Sequence, residues 1–252
     1  MTDVWIFPDW PAPARVQAAV TTRHGPGLSS APFERLNLGL RSGDIAEVVE
    51  ANRGALQQSL ALPAPPRWLH QVHGTTVAEL GPLSTRTEPE ADAAVSHLPG
   101  TVLAILSADC LPVLFCAADG SEIAAAHAGW RGLAGGVLES TLAQLQSPPE
   151  HLLAWLGPCI GATSYEVGDE VRAAFVDVDG RTARCFTPSR PSQWLCDLSA
   201  LARHRLNVAG MRHVYGGGFD TFTDARLYSY RREGARSGRF ASLIWLDPGA
   251  AR

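Results

Sequence analysis

The residues of this chain best suited to chemistry fall in two short stretches, Ser107-Ala108-Asp109-Cys110-Leu111-Pro112 and His127-Ala128-Gly129-Trp130-Arg131-Gly132. Each closes an apolar run that reads as a buried strand, so a thiol and an imidazole are delivered to strand ends. Gln71-Val72-His73-Gly74 adds a second imidazole. One Cys and two His make a candidate metal site with an open fourth position, a catalytic arrangement more than a structural one, because structural zinc usually takes four protein ligands. The same Cys110 and His127, with Asp109 beside them, also fit a thiol–imidazole hydrolase in which the imidazole activates the thiolate. His73 argues for the metal, since a simple dyad has no need of a second imidazole. The long separations from His73 to Cys110 and from Cys110 to His127 argue against it, because they match no compact zinc signature.

The surroundings of His127 favour a ligand site over a packed core histidine. Ala128 and Gly129 let backbone approach a bound molecule closely. The first turn of a following helix would offer free N–H donors to an anion, and Arg131 a planar donor fork. His70 is a rival ligand, but its Trp68-Leu69-His70 context reads as packing; His97, His151, His204 and His213 are assigned no role. The run Tyr215-Gly216-Gly217-Gly218-Phe219 lacks the lysine of a phosphate loop and reads as a turn. The chain has no lysine at all, which excludes Schiff-base, P-loop and kinase-type chemistry.

These groups need a scaffold, and the chain is long and apolar enough to build one: 252 residues, 46% of them hydrophobic. The formal net charge of −4 carries no basic cluster, so nucleic acid is not an expected partner. No apolar stretch is long enough to span a bilayer, and Met1-Thr2-Asp3-Val4-Trp5 does not open a secretory signal, so a cytoplasmic protein is the expectation. Five cysteines without a CxxC pair fit free thiols in a reducing compartment, with Cys116 a buried small hydrophobe. Strands are expected over Thr101–Ser107, Val113–Ala117, Ile123–Ala126, Leu152–Leu156, His213–Tyr215 and Ala241–Leu246. Helices are expected over Leu133–Leu145, Glu166–Phe175 and Leu198–Val208, and an exposed loop over Gly81–Ala91. The alternation predicts a layered α/β fold with a mixed sheet, as one domain over residues 1–252.

Over almost its full length the chain resembles the bacterial laccase-domain proteins, now usually described as purine nucleoside phosphorylases of broad specificity, a family that includes the peptidoglycan editing factor. The resemblance is carried by Thr21-Thr22-Arg23, Leu36-Asn37-Leu38-Gly39, Gly43-Asp44, Asn52-Arg53, Gln71-Val72-His73-Gly74, the Cys110 and His127 motifs, Gly157-Pro158-Cys159-Ile160-Gly161, Tyr165-Glu166-Val167-Gly168 and Ser229-Tyr230-Arg231-Arg232. It implies a zinc or copper site on His73, Cys110 and His127, and an α/β/β/α layered fold shared with certain cysteine-dependent deamidase toxins. The chain lacks the Cys and His clusters of a true multicopper oxidase, so polyphenol oxidation ranks second. Where many relatives carry Cys-Thr, it reads Asp220-Thr221.

The resulting expectation is a metal-dependent enzyme that cleaves adenosine, inosine and methylthioadenosine with phosphate and deaminates adenosine. Cys110, His127 and Asp109 are its candidate catalytic residues, Asp109 as proton shuttle. Arg23, Arg53, Arg131 and Arg231 are the candidate holders of phosphate. The partners are then a purine nucleoside and phosphate, with no nucleic acid and no membrane; the oligomeric state is not legible. Two other readings stand beside it: a cysteine hydrolase or amidase editing a peptidoglycan precursor, and a non-catalytic metal-binding module.

Overall fold

A computed structural model describes residues 4–81 and 87–249; residues 82–86 of the expected Gly81–Ala91 loop lie outside the described residues. Four strands, β1 (Trp5–Ile6), β2 (Val16–Thr21), β13 (Phe240–Leu246) and β5 (Val102–Ser107), form an antiparallel sheet in that order. A six-stranded sheet runs β12 (His213–Gly216), β8 (Leu152–Leu156), β6 (Leu111–Ala117), β7 (Ile123–Ala128), β4 (Ala93–Ser96), β3 (Val77–Glu79). It is mixed, because β12 runs parallel to β8 and β3 parallel to β4. A third, small sheet joins β10 (Phe186–Pro188), β11 (Gln193–Cys196) and β9 (Glu166–Gly168).

Strand periodicity turns the apolar runs into layers. Along β5, Leu103 and Ile105 join the apolar core between the two large sheets, while Val102 and Ala104 face helix α1 (Ala46–Ser59) through Leu56. Along β6, Leu114 and Cys116 enter the same inter-sheet core, and Val113 and Phe115 face the opposite way. That outer face is covered by α2 (Trp130–Gly135), α3 (Val137–Leu142), α4 (Asp169–Val176) and α5 (Leu198–Val208), through Leu133, Leu138, Phe175 and Leu201. The order is α/β/β/α. Both faces of β5 and β6 are sealed, which is why their sequences are continuous rather than alternating. Each fully buried Leu, Ile or Phe contributes about 1.5–3 kcal/mol, so the strands leading to Cys110 and His127 are firm platforms.

The strands at Leu152–Leu156 and the helix at Leu198–Val208 fall where the sequence puts them. Two expected helices are corrected. Leu133–Leu145 is broken by Gly136, whose φ of 99° is left-handed and ends α2 before α3 begins. Glu166–Phe175 begins as strand: Glu166, Val167 and Gly168 pair with Leu195, Trp194 and Gln193, and the helix starts only at Asp169. No helix among the described residues is long and apolar enough to cross a membrane.

Candidate metal centre and its cavity

Sheet register brings the thiol to the imidazole. β6 and β7 are antiparallel, with Pro112 opposite His127 and Leu111 opposite Ala128, so the residue before β6 meets the end of β7. Cys110 therefore stands beside His127 and Gly129. On the other side, β4 pairs with β7, Ala93 opposite Ala126, and the His127 N–H donates to the Asp92 carbonyl at 2.7 Å. The coordinating atoms of His73, Cys110 and His127 all lie within 4.8 Å of one another. The Cys110 Sγ to His73 Nε2 distance is 3.8 Å, and the two imidazole rings meet edge-on with centroids 4.9 Å apart.

A carboxylate that the sequence did not single out holds this arrangement. Asp92 is fully buried. Its Oδ1 accepts from the His73 N–H at 2.9 Å and pairs with His127 Nδ1 at 2.8 Å; its Oδ2 accepts from the N–H groups of Val72 at 3.0 Å and Gly74 at 2.7 Å. His73 takes a left-handed φ of 62°, and these bonds stabilise that turn. With Nδ1 bound to Asp92, His127 presents Nε2 to the site. Burial pushes the Asp92 pKa up, but the His127 pair and the bonds from Gly74 and Val72 bring it below the usual carboxylate range. Burial likewise pushes the Cys110 thiol up; the His127 charge and the hydrogen bonds of both imidazoles outweigh it and bring the pKa down to about 6. His127 moves the other way: burial lowers it, and Cys110 with Asp92 carries it up to about 9. Both shifts favour charge separation between the thiol and the imidazole in the metal-free site.

The donor set fits a cation. A tetrahedral zinc with one sulfur and one nitrogen ligand puts those atoms about 3.5 Å apart, given bonds of about 2.3 and 2.0 Å; the 3.8 Å Cys110–His73 separation is close to that. Gly129 leaves the space free: a Cβ there would stand 2.9 Å from both Cys110 Sγ and His73 Cδ2. Gly132 lets α2 approach the same loop, since its Cβ would lie 2.8 Å from the Gly74 carbonyl oxygen. His73 is exposed and Cys110 half-buried, so the site opens outward.

It opens into a cavity of about 600 Å³, within the usual range for small-molecule sites. The walls carry Trp130, Tyr165 and Tyr230, and the guanidiniums of Arg41, Arg131, Arg231 and Arg239. Asp109 lines it too, with a left-handed φ of 91°. Its two oxygens are engaged, Oδ1 by the Thr221 hydroxyl at 2.6 Å and Oδ2 by the Arg231 N–H at 2.6 Å, so it ties Cys110's turn to α6 (Tyr230–Glu233). Asp220 is a neighbouring strut, accepting from Gly161 N–H, Phe222 N–H and the Ser164 hydroxyl.

Of the four arginines marked as anion holders, the structure brings Arg131 and Arg231 to the cavity and leaves the other two outside its lining. Arg23 pairs with Glu233 at 2.6 Å and lies over the Tyr228 ring. Arg53 pairs with Glu88 at 2.9 Å, donates to the Leu38 carbonyl and lies over Trp68. Both brace the fold. Arg239, Arg41 and Tyr165 line the cavity unannounced by the sequence. His70 is not in the lining and faces Glu90 at 3.9 Å.

The family described as multi-copper polyphenol oxidoreductase laccase matches residues 17–247. A Pseudomonas aeruginosa protein named purine nucleoside phosphorylase is 52% identical over 247 residues, 97% of this chain and 99% of that one. The Escherichia coli protein named purine nucleoside phosphorylase YfiH is 47% identical over 244 residues, 96% and 98% of the two chains. Among solved structures, a Neisseria meningitidis protein superposes with a TM-score of 0.92 at 44% identity, covering 97% of this chain and 99% of that one.

Proposed function

Because the chain belongs to the family described as multi-copper polyphenol oxidoreductase laccase, whose relatives above are named purine nucleoside phosphorylase, we propose that it is a metal-dependent phosphorylase of purine nucleosides. On this reading it splits adenosine, inosine and methylthioadenosine with phosphate and also deaminates adenosine. The observation that carries the proposal is the convergence of His73, Cys110 and His127 on the wall of a cavity whose other charged lining is four guanidiniums and one carboxylate. Such a lining attracts an anionic co-substrate. Among the described residues this is the one group of three or more such side chains placed to hold a metal, so the several coppers of a polyphenol oxidase have no second site here.

His73, Cys110 and His127 would hold one zinc or copper ion; a thiolate with two imidazoles suits either. When bound, the ion supplies Lewis acidity at the cavity wall, the chemistry that deamination calls on. The chain's own residues do the rest. Asp92 keeps both imidazoles aimed. Trp130, Tyr165 and Tyr230 offer aromatic faces for a purine. As the glycosidic bond breaks, the ribosyl carbon gains positive charge and an oxyanion must lie beside it; the cavity arginines hold that oxyanion. Asp109 fixes the N-terminus of α6, which carries Arg231 into the wall. The test is metal analysis of the purified protein beside an assay of base release from nucleoside plus phosphate. Wild type should contain about one ion per chain and release base only with phosphate. Cys110→Ala should lose both, and chelation should abolish activity until metal is returned. Turnover in fully metal-free protein would overturn the proposal.

One observation favours a second reading. Cys110 beside His127, with His127 oriented by Asp92, is also the geometry of a thiol hydrolase triad acting on a peptide-like cell-wall precursor. That enzyme would survive chelation and His73→Ala; the phosphorylase would survive neither.

A further inference from the structure

Several arginines among the described residues have carboxylate partners: Arg23 with Glu233, Arg53 with Glu88, Arg181 with Asp179, Arg190 with Glu166, Arg205 with Glu139. In the cavity wall one arginine of four is so paired. Arg41 is paired with Glu88 at 2.6 Å, but Arg131, Arg231 and Arg239 have no carboxylate in ion-pairing reach among the described residues. Arg131 and Arg231 are exposed, so water screens them. Arg239 is half-buried, and burial pushes its pKa down, against the pull of Cys110 and Asp109 nearby. A half-buried cation with no carboxylate partner, lining a cavity, is a ready partner for an anion.

The fold holds Arg239 in place by its backbone. Its N–H donates to Asn37 Oδ1 at 2.9 Å, and its carbonyl accepts from the Leu38 N–H at 3.1 Å. The same Asn37 Oδ1 accepts from Gly39 N–H at 3.1 Å. Gly39 makes room for the stem: a Cβ there would stand 2.7 Å from Arg239 Cγ. Nη1 donates to the carbonyls of Ser237 at 2.6 Å and Gly238 at 2.9 Å. Nε and Nη2 have no partner among the described residues, which leaves one edge of the fork unused. Leu36-Asn37-Leu38-Gly39, a motif without a role in the sequence, thereby acquires one.

We propose that Arg239, seated on Asn37 and Gly39, is the anchor of an oxyanion subsite beside the metal centre, and that its ligand is the phosphate consumed in nucleoside cleavage. The proposal rests on the phosphorylase reading for the identity of the anion; the unpaired, preorganised cation stands apart from it. A fixed guanidinium fork binds a tetrahedral oxyanion through two parallel charge-assisted bonds. The experiment is titration of metal-loaded protein with inorganic phosphate, read by calorimetry, with KM for phosphate and for nucleoside measured in parallel. Arg239→Gln should weaken phosphate binding and raise its KM about tenfold or more, with nucleoside KM and metal content unchanged. Arg181→Gln, which removes an equal charge from a surface pair, should change phosphate affinity less than twofold. Arg239→Lys keeps the charge and loses the fork, and should fall in between; it carries the test if the Gln variant does not fold. Wild-type phosphate affinity in both Arg239 variants overturns the proposal, as does a loss that tracks loss of metal. Phosphate binding through Arg239 without nucleoside cleavage would sink the phosphorylase reading and leave the subsite standing. Cleavage with an unaltered phosphate KM in Arg239→Gln would do the reverse.

Discussion

Asp92→Asn is the sharpest perturbation the structure offers, because one carboxylate serves two candidate metal ligands from different parts of the chain. Oδ1 receives His127 Nδ1–H and the His73 N–H; Oδ2 receives the N–H groups of Val72 and Gly74. An asparagine has one carbonyl oxygen for four donors. With that oxygen toward His127, its NH2 faces Val72 and Gly74, and the left-handed turn at His73 loosens. With the amide reversed, its NH2 faces His127 Nδ1, which then takes the lone pair there and moves the ring proton to Nε2, the ligand atom. Either orientation spoils one imidazole. Two unmatched donors at about 1–3 kcal/mol each predict a loss of about 2–6 kcal/mol from the metal-free fold. Loss of such a partner typically lowers metal affinity about 10–100-fold. The assay is competition for zinc against a chromophoric chelator, beside thermal unfolding of metal-free protein. Asp220→Asn is the control, since Asp220 accepts a comparable set of bonds but touches no ligand. Because the Asp92 pKa is held below its ordinary value of about 3.9, its stabilisation is complete above that pH and is lost as pH falls through the native-state value. Zinc affinity within twofold of wild type, or an equal loss in Asp220→Asn, would refute the reasoning.

Three further outcomes are expected. In metal-free protein, iodoacetamide should alkylate Cys110 with a midpoint near pH 6 and a plateau by pH 7, where an ordinary thiol is still mostly protonated; His127→Ala should move the midpoint up. Cys116 and Cys159 are buried and pushed up to about 12, so they stay silent, and a Cys110 midpoint at 8 or above would contradict the ion pair. Gly129→Ala should cost at least tenfold in zinc affinity, with metal-free thermal stability little changed, because its Cβ intrudes between Cys110 and His73. Asp109→Asn should lower stability by about 1–3 kcal/mol while keeping metal content, as expected of a strut between Thr221 and Arg231; a large loss of turnover at unchanged stability would instead support the proton-shuttle role of Asp109.

Cys110 and His127 were legible because the runs preceding them are unbroken and apolar, and a run sealed on both faces announces its own end. The strand at Leu152–Leu156 follows from the same signal, while the four-layer order was implied by the family resemblance rather than by the apolar runs. Asp92 was not legible. It precedes Ala93-Ala94-Val95-Ser96, a strand of small residues with too little apolar periodicity to declare itself, and its partners lie 18 to 35 residues away. The arginines divide for a related reason. Nothing local in Asn52-Arg53 shows that the guanidinium is taken up by Glu88, and nothing local in Gly238-Arg239 shows that one is left without a carboxylate. The broken helix at Gly136 had its cue in the Gly135-Gly136 pair; the strand at Glu166–Gly168 had none, because its partner β11 is far along the chain.

The absence of a compact zinc signature now has a physical account. A local motif takes its ligand geometry from one turn of chain, so its spacing is fixed and readable. Here the geometry comes from register: β6 against β7 sets Cys110 beside His127, and β4 against β7 sets Asp92 beside both His127 and the His73 turn. Spacing along the chain is then free to vary, while a slip of one residue would carry Cys110, in the first pair, or Asp92, in the second, to the opposite face of the sheet. On the proposed function, metal binding is thereby coupled to the pairing of three strands in the six-stranded sheet. Added zinc should raise the unfolding temperature of the whole chain, and by less in Asp92→Asn, where one imidazole has lost the carboxylate that positions it.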